Sequence, residues 1–316
     1  MKSKYLTRPG CREDWIDFTQ TPTETSVCLL TPVGEEAMME VRDGLYRKNQ
    51  GEPYHQHTHG NELFYLYRGT AMLTVRGKRC RLQAGDMAFI PANVPHALLF
   101  PGEDTGFRLF LQGMNVYQRR QNRNVIAQWY PQIFENQQFA EDFARSTHSL
   151  RREPCEAVDV EKGDIHEVRT ASFAWSAFDC GGAVMSLIVG RWETESLYEV
   201  WRCEAEKGFC ARWDRPHQDW ELYQVTKGAV SFRVLDESFT ACAGDLVRIP
   251  PYAVHQAHAD ADSTIYAIGC KGQALAMLED RASLLKKRPE ALRPQTEWEE
   301  FSKKYGCHIT GFGMRL

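Results

Sequence analysis

Two segments decide how the chain is read: Gly51-Glu52-Pro53-Tyr54-His55-Gln56-His57-Thr58-His59-Gly60-Asn61-Glu62 and, beyond Gly69, Gly85-Asp86-Met87-Ala88-Phe89-Ile90-Pro91-Ala92-Asn93-Val94-Pro95-His96. Side chains two apart on a strand share a face, so His55 and His57 aim two imidazoles the same way, and Glu62 brings back a carboxylate after a turn at Gly60-Asn61. His96 completes the set. Three neutral imidazoles and one carboxylate suit one divalent transition metal with coordination positions left open. A second frame, with His57 and His59 as the nitrogens, leaves only Gly60 and Asn61 for the turn before Glu62, so the first frame is preferred.

Residues His55-x-His57-x4-Glu62-x6-Gly69 resemble the first motif of the cupins, G-x5-H-x-H-x(3,4)-E-x6-G, although Gly51 stands with three residues, not five, before His55. Gly85, Pro91 and His96 resemble the second motif, G-x5-P-x-G-x2-H-x3-N, with Asn93 at the middle glycine and Phe100 at the last asparagine. The resemblance implies a jelly-roll barrel with His55, His57, Glu62 and His96 as metal ligands. It implies Fe(II) first, with Mn, Ni, Cu or Zn as alternatives.

From Glu62 the sequence is β-rich. Leu63–Tyr67, Ala71–Val75, Arg79–Leu82, Met87–Ile90, His96–Phe100 and Phe107–Leu111 are short apolar runs separated by Gly69, Gly77, Gly85, Pro91 and Pro101-Gly102. Alternation from Glu62 and His96 sends Phe64, Leu66, Leu98 and Phe100 into the lumen as a substrate pocket. His59, Tyr54 and Tyr65 are the nearby candidates for acid–base catalysis beyond the ligands.

The unit then recurs. Glu221, Gly228, Gly244 and His255 repeat Glu62, Gly69, Gly85 and His96 at one offset, 221 − 62 = 255 − 96 = 159, as a duplicated barrel requires. The same offset carries His55 onto Asp214 and His57 onto Pro216, with His217 one residue out of register. Asp214, His217, Glu221 and His255 therefore form at most a weaker second site, and a barrel filled by Trp213, Trp220, Tyr223 and Phe232 is the alternative.

The expected architecture is all-β: two tandem cupin barrels with a helical connector and C-terminal helices. Residues 1–115 are the metal-binding barrel with an arm, 116–147 the connector, 148–271 the degenerate barrel and 272–316 a helical tail. The arm contributes Ser26–Leu30 and Ala37–Val41, as internal strands or along a barrel edge, its own or that of a second copy in a homodimer. Apolar residues Ile126, Trp129, Tyr130, Ile133, Phe134 and Phe139 recur at helical spacings and give the connector one packing face, bent at Pro131.

A net charge of −4 with no basic stripe argues against nucleic acid, and no apolar stretch reaches membrane length. Ten cysteines without a C-x-x-C pair read as reduced thiols, with Cys80 and Cys242 in packing roles, and the polar start Met1-Lys2-Ser3-Lys4-Tyr5 has no signal-peptide pattern. Both favour a cytoplasmic protein. The functional expectation is a metal-dependent, dioxygenase-like enzyme for a small enol, catechol or hydroxy or keto acid. The alternatives are a redox-neutral isomerase, lyase or hydrolase on a sugar or keto acid, and a non-enzymatic small-molecule binder.

Overall fold

The computed structural model describes residues 3–20, 22, 24–32, 38–146, 149–215, 220–270, 274–291, 295–305 and 308–314. The chain divides into two units, Glu13–Phe173 and Met1–Arg12 with Ala174–Leu316. Among the described residues, each unit is built from two antiparallel sheets around an apolar interior.

In the first unit, one sheet runs in the order Ser149–Arg151, Gln50–His57, His96–Phe100, Thr70–Val75, Lys78–Gln83, Val158–Asp159. The other runs Val168–Arg169, Met87–Ile90, Asn61–Arg68, Thr105–Gln112, Glu40–Tyr46, Glu24–Leu30, Asp17–Gln20. All six apolar runs of the sequence are strands. Alternation places Phe64, Leu66, Leu98 and Phe100 inside, 1%, 0%, 4% and 0% exposed, in the packed core, and none of the four lines the cavity of this barrel. Tyr46 stacks on Phe100 and Phe107, and Phe64 on Phe107, at centroid separations of 4.5 Å for Tyr46–Phe100 and 5.0 Å for Phe64–Phe107. Burying each ring stabilises the barrel by about 2–3 kcal/mol.

Strand starts recur at the single offset along most of the unit: Asp17–Gln20 with Ser176–Asp179 (176 − 17 = 159), Glu24–Leu30 with Ala183–Val189 (183 − 24 = 159), and His96–Phe100 with His255–Ala259 (255 − 96 = 159). The arm is therefore part of the repeated unit. Glu24–Leu30 pairs with Glu40–Tyr46, which pairs with Thr105–Gln112, inside the barrel's own sheet. Its charged residues Glu24, Arg42 and Asp43 hide the alternation in sequence. Of the expected strand Ala37–Val41, residues 38–41 are described and 37 lies outside them.

Three expectations need correction. Leu6–Thr7 pairs with Leu246–Val247, and Val168–Arg169 pairs with Met87–Ala88, so each barrel takes a short strand from the stretch that precedes the other and the boundaries at 1 and 148 shift. The tail holds helices Ala274–Lys287 and Gln295–Lys303 but ends in a strand, His308–Met314, paired with Phe209–Arg215. Two glycines in His-Ile-Thr-Gly-Phe-Gly-Met obscured it. The connector helix Val116–Trp129 buries no residue along its length, and Trp129 and Tyr130 are 73% and 65% exposed. After Pro131, Phe134, Phe139 and Phe143 pack on one another instead.

In the second unit, the interior is filled by Trp201, Phe209, Tyr223 and Phe232. Trp220 is half-buried and not part of that cluster, and the side chain of Trp213 lies outside those described. The cysteines whose side chains are described are unpaired, Cys80 is buried and Cys242 is exposed, which removes the expected packing role of Cys242.

Gly51 passes so close to the neighbouring strand that a Cβ there would lie 1.9 Å from the Leu98 carbonyl oxygen, whereas a Cβ at Gly163 meets nothing within 4 Å. Gly51→Ala is expected to cost about 1–3 kcal/mol by overpacking, and Gly163→Ala about 0.5 kcal/mol or less, as measured by denaturant unfolding. Equal effects would contradict the close approach.

Candidate metal centre

His55 and His57 lie on Gln50–His57, His96 is on the strand beside them, opposite His55, and Glu62 comes from the facing sheet. The turn between them needs Gly60, whose φ is +77° and whose Cβ would lie 1.9 Å from the Gln112 carbonyl oxygen. Asn93 holds the left-handed conformation (φ 63°), which asparagine tolerates better than most residues, and donates its backbone N–H to the His57 carbonyl at 2.6 Å. That explains the missing glycine of the second motif.

One ligand atom from each of His55, His57, Glu62 and His96 lies within 4.8 Å of the others. Glu62 Oε2 is 3.1 Å from His96 Nε2 and 3.3 Å from His57 Nε2. Nδ1 of His96 faces the Val94 carbonyl at 2.9 Å and Nδ1 of His55 the Pro53 carbonyl at 2.8 Å. A carbonyl only accepts, so both rings donate from Nδ1 and, when neutral, turn the Nε2 lone pair inward. Lone pairs and a carboxylate converging in a buried place repel unless a cation sits among them. Donors bound to one ion at about 2.1 Å are at most about 4.2 Å apart, so side-chain shifts of a few tenths of an ångström close the set. These residues fit a divalent metal.

The electrostatics agree. Burial alone would raise the Glu62 carboxyl, but hydrogen bonds from His57 and His96 outweigh it and hold the group well below the ordinary carboxylate range. Burial opposes charge on His96, yet the bond to Glu62 wins and raises its pKa. For His55, burial reinforced by the His96 charge lowers the value to about 4.

His59 is exposed and turned to the Thr58 hydroxyl at 3.2 Å, outside the cluster, as the first frame requires. Tyr65 pairs across the ladder with Arg108, on the strand face opposite Glu62. Tyr54 meets Cys155, and burial pushes its phenol up to about 12. None of the three lines the cavity that opens onto His57 and Glu62.

That cavity, about 210 Å³, is lined by Phe107, Leu109, Leu111 and Met114 on one side. Glu24, Arg42, Glu52, Arg119 and Arg120 supply a charged side that sequence reasoning missed. Glu52 escaped because strict alternation sends it away from His55. The pairs His96 with His55 and Leu98 with Glu52 advance two residues on one strand and three on the other, a β-bulge that turns Glu52 to the lumen face. The signal for it was the shortened spacing from Gly51 to His55. The Tyr46 hydroxyl donates to Glu52 Oε1 at 3.3 Å. Part of the Glu52 surface stays open to the cavity, but protein encloses the carboxyl, and this burial with the Glu62 charge raises its pKa to about 8.

In the second barrel His255 Nε2 lies 3.2 Å from Glu221 Oε2, and Tyr223, the counterpart of Phe64, donates its hydroxyl to the same carboxylate at 3.0 Å. The Asp214 side chain and His217 lie outside the described residues. Among the described residues, the first barrel's four are the cluster with metal-ligand geometry.

A cupin domain family model matches residues 45–111, and a model of the AraC-like ligand-binding domain matches residues 209–300. Among solved structures, oxalate decarboxylase of Bacillus subtilis, studied for its Mn(II) centres, is 14% identical over 86% of this chain and 78% of its own, with a TM-score of 0.54. The coconut allergen cocosin is 10% identical over 84% of both chains, with a TM-score of 0.54. At such identities the likeness is one of fold. No curated protein sequence matches the chain. The chain has the fold of a two-domain cupin, a bicupin. No helix among the described residues is long and apolar enough to cross a membrane.

Replacing His55 or His96 by alanine is expected to abolish tight metal binding, while His59→Ala and His255→Ala keep about one ion per chain by elemental analysis. A loaded His55→Ala beside an empty His59→Ala would reverse the ligand frame. Protons compete with the ion for the imidazoles. Affinity measured against a chelator should therefore weaken as pH falls through the raised pKa of His96, and weaken further below about 4, where His55 also protonates.

Proposed function

We propose that the first barrel is a metal-dependent enzyme site, dioxygenase-like, for a small oxygen-bearing substrate such as an enol, a catechol or a hydroxy or keto acid. The observation that carries this reading is the His55–His57–Glu62–His96 cluster opening onto a half-apolar cavity. When bound there, a divalent ion supplies Lewis-acid polarisation of a substrate oxygen and, as Fe(II), access to O₂ chemistry.

The chain's own residues do the rest. Phe107, Leu109, Leu111 and Met114 exclude water and hold the carbon skeleton of a small molecule. Carbonyls of Pro53 and Val94 fix the rings of His55 and His96 and keep their Nε2 atoms directed at the cluster. Glu52, whose pKa burial and the Glu62 charge raise to about 8, lines the same cavity, and the Tyr46 hydroxyl donates to it. It takes the acid–base place first assigned to His59, Tyr54 and Tyr65.

Glu52 favours a second reading, a redox-neutral isomerase or lyase, because a positioned proton donor is what such chemistry requires beyond the ligands. The lyase named in the similar fold, oxalate decarboxylase, is of that kind.

Oxygen-electrode measurements on iron-loaded protein with catechols, enols and keto acids separate the readings. The dioxygenase reading expects O₂ uptake in proportion to bound iron. Turnover without O₂ uptake, lost in Glu52→Gln, would assign the redox-neutral reaction, and ligand affinity that survives metal removal without turnover would assign a binding protein.

A further inference from the structure

Three arginines line the cavity of the first barrel. Two are already engaged. Arg42 bonds Glu40 at 2.8 Å and the Ser26 hydroxyl at 3.2 Å, and Arg120 donates to the Thr19 hydroxyl at 2.8 Å with Asp17 at 3.9 Å. The guanidinium of Arg119 has neither a hydrogen bond nor an ion pair among the described residues.

Its position is set from the backbone. Asn115 caps the helix Val116–Trp129 by accepting from the Gln118 N–H at 2.7 Å, and the Tyr117 N–H is bound by the Glu40 carboxylate at 3.0 Å. These contacts seat the first turn against the barrel, so that Asn115, Val116, Arg119 and Arg120 all border the cavity. Burial and the neighbouring charge of Arg120 push the Arg119 guanidinium below its ordinary range, a cost that an incoming anion would remove. A half-buried guanidinium with five donors and no acceptor is built to receive a planar carboxylate in two parallel bonds.

We propose that the substrate is a small dianion, with oxygen donors at one end for the His55–His57–Glu62–His96 cluster and a carboxylate at the other that Arg119 receives. This rests on the metal-site reading for the first end alone. Arg119 is then a specificity-determining residue, and the size of the cavity, about 210 Å³, restricts the ligand to a short carbon chain.

Calorimetric titration of the full-length, metal-loaded protein with lactate, malate and 3-phosphoglycerate tests it. All three carry the same 2-hydroxy acid and differ at the far end, which is a methyl, a carboxylate or a phosphate. Malate is expected to bind about tenfold or more tightly than lactate, since a charge-assisted bidentate pair contributes on that scale. Arg119→Gln should erase that preference while leaving metal content and lactate affinity unchanged, and Arg119→Lys should restore part of it.

Equal binding of lactate and malate by the native protein, no binding of either, or a preference that survives Arg119→Gln would overturn the proposal. Tighter binding of 3-phosphoglycerate than malate would overturn the carboxylate assignment. Metal content measured on the same samples reports separately on the cluster. Arg119-dependent preference for malate in protein that takes up no metal would uphold the anion site and sink the metal reading.

Discussion

The carboxylate of Glu62, with a side chain 3% exposed, lies between the imidazoles of His57 and His96, and the first barrel is arranged around the need for positive charge at that point. A buried anion without a partner costs several kcal/mol. Shared positive charge from His96 meets the need in part, which is why its pKa rises while that of His55, buried and crowded by the same charge, falls. A divalent ion held by His55, His57, Glu62 and His96 would meet it more fully. The ring orientations set by the Pro53 and Val94 carbonyls make sense for an ion and have little purpose for a packed core.

The second barrel shows what the same frame does when that demand is withdrawn. Glu221 and His255 remain 3.2 Å apart, but Tyr223 stands where the first barrel has Phe64 and satisfies the carboxylate with its own hydroxyl. Burial and the Glu221 charge keep that phenol protonated. A hydroxyl donor is the partner of this glutamate, and Trp201, Tyr223 and Phe232 pack the lumen. Tyr252, at φ 61°, even keeps the left-handed position held by Asn93 in the first copy. The two copies share this backbone geometry where their ligand-type residues differ.

Much of this was legible in the residues. The apolar runs from Leu63 to Leu111 became strands, the offset of 159 held in three dimensions, and the four ligand residues read from their spacing met in space. These features depend on period and spacing, which sequence displays directly. What escaped depends on long-range approach. Glu52 reaches the lumen through a bulge that breaks the alternation, and Arg119 lies on a helix whose aromatic spacing pointed to a packing face that the fold leaves exposed. The charged strands Glu24–Leu30 and Glu40–Tyr46 read as an arm because they supply a polar cavity wall and not a uniform core. His59, Tyr54 and Tyr65 were near the ligands in sequence, yet one is exposed at a turn, one meets Cys155 and one lies on the opposite face of its strand.

The central claim is that a single ion belongs to the first barrel, held by three imidazoles and one carboxylate. Anomalous diffraction at the metal edge, from crystals of protein loaded with Fe(II) or Mn(II), tests it most directly. The account predicts one peak per chain, about 2.0–2.3 Å from His55, His57, Glu62 and His96. A peak beside Glu221 and His255 instead, or His59 in place of His55 in the first shell, would contradict it.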